Sequence, residues 1–132
     1  MHTFELLTER RVSFVDITRR LAVVVAELEL AEGVLVAYVP HTTAGITINE
    51  NADPSVRADL TMALDRLVPD TLPFTHAEGN SDAHVKASLM GSSVTIPVAD
   101  GRLQLGTWQG VYFAEFDGPR RRRVCVSALR SS

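Results

Sequence analysis

Six apolar residues, Val34-Leu35-Val36-Ala37-Tyr38-Val39, stand between Gly33 and Pro40, and they constrain the fold more than any other segment. The run is of strand length and rich in the branched and aromatic side chains that suit a pleated surface. No charge interrupts it to give it a wet side. It is therefore expected to be a strand buried on both faces, punctuated by the glycine before it and the proline after it.

The flanking segments switch between two periods. Ile17, Leu21, Val24 and Leu28 recur at spacings of four, three and four, one face of a helix. Asp16 can accept backbone N–H bonds at its start, and Gly33 is expected to end it by taking positive φ. Ile46-Thr47-Ile48-Asn49 alternates like a half-buried strand. Asp53-Pro54 opens a second helix, an acidic cap followed by proline at the first helical position, with Val56, Leu60, Ala63, Leu64 and Leu67 as its apolar face. Pro69 and Pro73 bracket a loop, and a shorter third helix runs from Ser81 or Asp82 to Gly91.

The remainder reads as β. Thr3 to Thr8 opens the chain as a strand. Ser93 to Val98 contains Pro97, which predicts a sheet edge or a bulge. Asp100-Gly101 is a hairpin signal, Val111 to Phe116 a further strand, and Val124 to Leu129 the last one. Helices and strands interleave early and strands dominate late. That order predicts a single α+β domain over residues 1–132 with a mostly antiparallel sheet and two to three helices.

Composition removes several functions. The formal net charge is -3, without the basic surface of a general nucleic-acid binder. No G-x-G-x-x-G or Walker pattern occurs. The one cysteine, Cys125, cannot form an internal disulfide, and its apolar setting predicts a buried thiol. The apolar runs fall far short of a membrane span, and Met1 to Glu5 lacks a basic n-region leading into an apolar stretch. A cytoplasmic protein, bound to neither membrane nor nucleic acid, is the expectation.

The chemistry concentrates in three polar segments. His41 begins His-Thr-Thr-Ala-Gly, directly after the apolar run. His76 and His84 bracket His-Ala-Glu-Gly-Asn-Ser-Asp-Ala-His. Imidazole is the commonest side-chain metal ligand, and three histidines with an open fourth position make a catalytic site for a divalent ion. The plainer alternative is that His76 and His84 bond to backbone and that His41 is a satisfied core residue. Glu78 and Asp82 lie between the paired histidines. Glu78 is a candidate general base or orienting partner, and Asp82 a helix cap. Asn80 can cap as well, or donate to an anion.

Thr42, Thr43 and Ser92 sit near glycines at strand ends, where hydroxyls and free N–H groups suit phosphate, although ordinary turn chemistry also selects them. Lys86 is a phosphate partner or a solvated helix residue. Trp108, in Gly-Thr-Trp-Gln-Gly, lines a pocket or an interface, or packs in the core. The run Arg120 to Arg123 reads as a solvated hairpin flank, with an anion patch as the lesser alternative.

Three long stretches then resemble the YjbQ-like family: Val39 to Pro54, His76 to Ser93 and Gly101 to Arg120. The resemblance covers nearly the whole chain. It implies an α+β fold with a β-sandwich, assembled as a homotrimer. It implies a metal centre, with His41, His76 and His84 as ligand candidates. It also implies a secondary thiamine-phosphate synthase activity, which joins hydroxymethylpyrimidine pyrophosphate to thiazole phosphate and releases pyrophosphate. Glu78 is then the candidate catalytic residue, and Thr42, Thr43, Asn80, Lys86, Ser92 and Trp108 the candidates for binding a phosphate-bearing substrate. Histidine ligands favour zinc or another transition ion over magnesium, which prefers oxygen. The rival class is a non-enzymatic oligomer that binds a metal or an anionic metabolite. Light scattering at micromolar concentration tests the assembly: the expected mass is three times that of one chain, and a monomer mass contradicts it.

Overall fold

In a computed structural model, residues 1–131 are described and form two antiparallel sheets and three helices. The elements are β1 His2–Leu7, β2 Ser13–Asp16, α1 Thr18–Glu27, β3 Gly33–Tyr38, β4 Ala44–Glu50, α2 Pro54–Leu67, α3 Ser81–Met90, β5 Ser93–Ala99, β6 Arg102–Leu103, β7 Gln109–Glu115 and β8 Arg121–Arg130. One sheet has the order β1-β8-β3-β5-β6 and the other β2-β7-β4. The α+β class and the antiparallel pairing follow the expectation from the sequence.

The main core lies between the sheets. Leu35 and Ala37 of β3, Ile96 and Val98 of β5, and Val124 and Val126 of β8 meet Ile46 of β4 and Val111 and Phe113 of β7 there, with Leu21, Val24 and Val25 of α1. A second core covers the other side of the three-stranded sheet. Phe14, Tyr112 and Ala114 pack there against Leu64 of α2 and Ala83 and Ala87 of α3.

This layering corrects the first expectation. β3 buries Leu35 and Ala37 but leaves Val34 and Val36 half-buried and Tyr38 47% exposed. The strand buried on both faces is β7, central in its sheet, where Val111 to Glu115 are all buried. An apolar run shows that a strand can be buried on both faces. Whether it is depends on a layer supplied from elsewhere in the chain, and for β7 that layer is α2 and α3.

Local signals set the helix ends. The Asp53 side chain accepts the Ser55 N–H at 2.9 Å, with Pro54 at the first helical position of α2. Asp16 accepts the Thr18 N–H at 2.9 Å as α1 begins. α1 stops earlier than expected. Glu29 takes the left-handed φ of 52°, and the Leu30 and Glu29 N–H groups bond back to Val25 and Ala26. Gly33 instead opens β3. The apolar face of α2 is narrower than its spacing implied, since Leu67 is 71% exposed. β2 and the two-residue β6 carried no strand signal strong enough to find. The Asp100-Gly101 turn joins β5 to β6 as expected, with φ of 51° and 70°. β6 pairs β5 only at Val98 and Ala99, and beyond it the Pro97 carbonyl still accepts the Gln104 N–H at 2.9 Å, so Pro97 lies where the short edge pairing ends. Cys125 is half-buried on the outward face of β8, between the inward Val124 and Val126.

α3 approaches β4 very closely. A Cβ at Gly45 would stand 2.7 Å from the Gly91 carbonyl oxygen and 2.9 Å from Met90 Cβ. Gly91 ends α3 with φ of 91°, a conformation that favours glycine. Gly45→Ala therefore forces α3 away from the sheet. We expect a loss of about 1–3 kcal/mol, the usual cost of overpacking a filled site, read from urea unfolding.

Candidate functional site

The close packing at Gly45 brings two polar segments together. The N–H of Val39 donates to the Ser92 carbonyl at 2.7 Å, and the N–H of Ile46 to the Gly91 carbonyl at 3.1 Å. Between these ties lies a groove of about 500 Å³, lined by His41, Thr42, Ala44, His84, Ala87, Ser88, Gly91 and Ser92. It holds two imidazoles and three hydroxyl side chains and no carboxylate. His76, from the preceding loop, sets its ring edge-to-face against His84, with centroids 5.4 Å apart. Glu78 stands 3.7 Å from Nε2 of His76 and is largely exposed. The Ser88 hydroxyl donates to the His84 carbonyl at 3.0 Å, so it meets the groove as an acceptor.

The remaining candidates are dispersed. Thr43 is buried, and its hydroxyl accepts from Arg122 at 2.9 Å. Asn80 occupies the cap position of α3 without capping it, and its amide instead donates to Asp117 at 2.9 Å. Asp82 is not the cap either. It is buried in the first turn of α3, where it accepts two 3.1 Å bonds from Arg11. Lys86 is neither solvated nor in the groove. Its ammonium is buried and bonds to Asp65 at 2.5 Å, with Asp82 at 3.8 Å. Two residues beyond His84, it points to the far side of the helix.

Trp108 is 62% exposed, which removes the core reading. Its carbonyl accepts the N–H of Asn51 just beyond the far end of β4, about 20 Å from Ala44 at about 3.3 Å per residue. It cannot stack on a ligand in the groove of its own chain. A larger cavity, about 690 Å³, lies between β2 and α2, with Arg10, Arg57 and Arg66 around Val12, Phe14 and Met62. It contains no histidine, whereas His41 and His84 line the smaller groove.

A buried ion pair, which was not expected, stands behind the groove. Arg122 and Glu115 are 3% and 0% exposed. Nε of Arg122 donates to Glu115 at 2.8 Å, and a second, shorter bond makes the pair bidentate. The Thr8 hydroxyl and the Asp117 N–H also donate to Glu115, at 2.7 and 3.1 Å. Arg122 thus departs from the solvated flank expected for its run. Strand alternation was the available signal. Arg122 shares a face with Val124 and Val126, and Glu115 with Val111 and Phe113.

The next residue fixes His41. The N–H of Arg123 donates to Nε2 of His41 at 3.0 Å, and Phe113 packs edge-on against the ring at 6.4 Å. Burial, and then the charge of Arg122, lower the His41 pKa below the ordinary histidine value, so the ring is neutral at pH 7.

Among the described residues, no group of three or more His, Cys, Asp or Glu side chains is arranged to hold a metal ion. The donors that do stand together are the two imidazoles. Rings bound through nitrogen at about 2.0–2.1 Å to one tetrahedral zinc have centres about 5 Å apart, close to the 5.4 Å between His76 and His84. The spacing of the two rings, and nothing further about their nitrogens, matches that of a shared ion.

Comparison with known proteins places this architecture. The family described as UPF0047 protein YjbQ-like matches residues 2–131. The chain belongs to the YjbQ-like family. It is 54% identical to the UPF0047 protein MJ1081 of Methanocaldococcus jannaschii, over 96% of this chain and 91% of that one. It is 47% identical to the UPF0047 protein YugU of Bacillus subtilis, over 98% of each. A crystal structure of a YjbQ/UPF0047 protein from Clostridium acetobutylicum superposes with a TM-score of 0.96 at 50% identity, covering 98% of this chain and all of that one. A protein of unknown function from Sulfolobus solfataricus keeps a TM-score of 0.94 at 28% identity, over 98% and 96% of the two chains. The YjbQ-like fold, with its two antiparallel sheets and three helices, is thus common to relatives whose sequences differ widely. No helix among the described residues is long and apolar enough to cross a membrane.

The ion pair yields a stability prediction. Burial alone would raise the Glu115 pKa. The hydrogen bonds from Arg122, Thr8 and Asp117 and the Arg122 charge outweigh it and hold the carboxyl below the ordinary range. On acidification the unfolded chain therefore binds the proton first. The stabilisation is complete above the ordinary carboxylate range and is lost as pH falls through the lower, folded value. Arg122→Ala leaves Glu115 buried and unpaired. We expect it to cost about 3–5 kcal/mol in urea unfolding at pH 7, with a smaller penalty at acid pH, where Glu115 is protonated.

Proposed function

We propose that the groove binds the phosphate-bearing end of a small molecule beside a divalent ion, and that the protein is a metal-dependent enzyme. The supporting observation is the contact between His76 and His84 at the edge of a hydroxyl-lined groove that also contains His41. His76 and His84 would hold the ion, zinc or another transition ion, on their imidazole nitrogens. Such an ion supplies charge neutralisation for a pyrophosphate leaving group.

The chain's own residues do the rest. Thr42 and Ser92 offer hydroxyls to phosphate oxygens. Glu78, beside His76, orients that imidazole or moves a proton. The absence of carboxylates from the groove lining leaves an anion nothing to repel it there. The secondary thiamine-phosphate synthase reaction associated with the family fits this arrangement, because its leaving group is pyrophosphate.

A homotrimer belongs to the same proposal. The outward face of the five-stranded sheet presents Tyr38 and Leu129 at 47% and 67% exposure, with Val34 and Val36 half-buried beside them. Association would cover that face. The position of Trp108 favours one second reading. With no aromatic platform in its own groove, a single chain can bind metal or anion without turning over a heteroaromatic substrate.

His76→Ala and His84→Ala are each expected to lose most bound metal, measured by elemental analysis, while the far-ultraviolet circular dichroism stays unchanged. His84→Ala should also lower kcat for thiamine-phosphate formation by at least about tenfold, roughly 1.4 kcal/mol of transition-state stabilisation. Glu78→Gln should lower kcat as well. Full activity in metal-free His84→Ala protein refutes the mechanism. An inactive wild type with intact metal binding selects the binding-protein reading.

A further inference from the structure

We infer that His41 is not a third metal ligand but a fixed hydrogen-bond donor, which presents Nδ1–H to an oxyanion in the groove. The inference deepens the proposed reading of the groove and rests on it. The argument begins with a backbone amide. An N–H can only donate, so the 3.0 Å contact from Arg123 requires a lone pair on Nε2 of His41. In a neutral ring the proton then resides on Nδ1. A metal needs a lone pair too. Nε2 has committed its own to the backbone and Nδ1 carries a hydrogen, so the neutral ring has no site left for an ion.

Turning the ring over does not escape this. It would put a carbon where Nε2 stands and leave the Arg123 N–H without that acceptor. The surroundings hold the ring in place. Phe113 packs against it edge-on, and Arg123 follows directly on Arg122, which is locked to Glu115 and Thr43 in the buried cluster. This tautomer is therefore set by the fold of β8, far along the chain from His41.

The ligand class follows from what the groove offers. His41 Nδ1–H and the hydroxyls of Thr42 and Ser92 are donors, and no carboxylate competes with them. A phosphoryl or pyrophosphoryl oxygen is the matching acceptor. The two sides then divide the work. His76 and His84 hold the ion, and His41 grips the anion from the β3–β4 segment.

The test is nitrogen-15 NMR of the imidazoles in the intact protein at neutral pH, first alone, then with zinc, then with inorganic pyrophosphate. In the free protein His41 is expected in the Nδ1–H form. Zinc should shift the His76 and His84 nitrogens and leave both His41 nitrogens in place. Pyrophosphate should shift the His41 Nδ1 signal. An Nε2–H tautomer, or a zinc shift at His41 equal to those at the other two, overturns the inference. So does a pyrophosphate shift at other groove residues that spares His41 Nδ1. If zinc and pyrophosphate move no groove resonance at all, the reading of the groove fails, and with it the anion-donor role, whatever the tautomer.

Variants give a second measurement. His41→Asn keeps an N–H near the Nδ1 position, and His41→Ala does not. His41→Ala is expected to weaken pyrophosphate binding about tenfold with zinc affinity unchanged, and His41→Asn to recover most of that loss. A loss of zinc affinity in His41→Asn comparable to that in His84→Ala would contradict the assignment.

Discussion

The buried pair of Arg122 and Glu115 joins the two sheets at the end where the groove opens. Arg122 belongs to β8 in the five-stranded sheet and Glu115 to β7 in the three-stranded one. Thr8, after β1, and Thr43, before β4, complete the cluster. Two opposite charges out of water contribute little net stability compared with apolar residues of the same size. What they contribute is geometry. Bidentate bonds fix the relative height of the sheets, and the segment from Thr43 to His41 is anchored by Arg122 and the amide of Arg123.

The other side of the groove is positioned by packing. α3 can lie against β4 because residue 45 has no side chain, and its carbonyl end then bonds to Ile46. The helix is held on its far side by a second charged cluster, Lys86 with Asp65 of α2 and Asp82 with Arg11. His84 faces the groove because Asp82 and Lys86 face away from it. Each group of residues thus has one job. Charged clusters turn inward to set positions, while His41, His84 and the hydroxyls of Thr42, Ser88 and Ser92 line the groove.

Several of the candidate residues singled out in the sequence come together in the structure. His41, Thr42, His84 and Ser92 do line one groove, and His76 stands beside it. The readings of Thr43, Asn80, Asp82, Lys86, Trp108 and Arg122 changed. Each of those depended on which neighbour the side chain meets. Lys86 is two residues from His84, but two residues on a helix is more than half a turn. Arg122 sits in a run that reads as surface charge, yet strand alternation turns it inward.

The sequence by itself determined the type and order of most elements, because caps, turn residues and hydrophobic periods act over a few residues. Asp53-Pro54 starts a helix, and Asp100-Gly101 turns a hairpin, whatever surrounds them. The tertiary structure alone decided which strand is buried on both faces, which end of α1 is cut short, and which tautomer His41 carries. The burial of β7 and the tautomer of His41 depend on partners outside the local segment, 82 residues away in the case of His41 and Arg123. A local pattern shows which face a side chain occupies. What that face meets is settled only when the sheets and helices close around it.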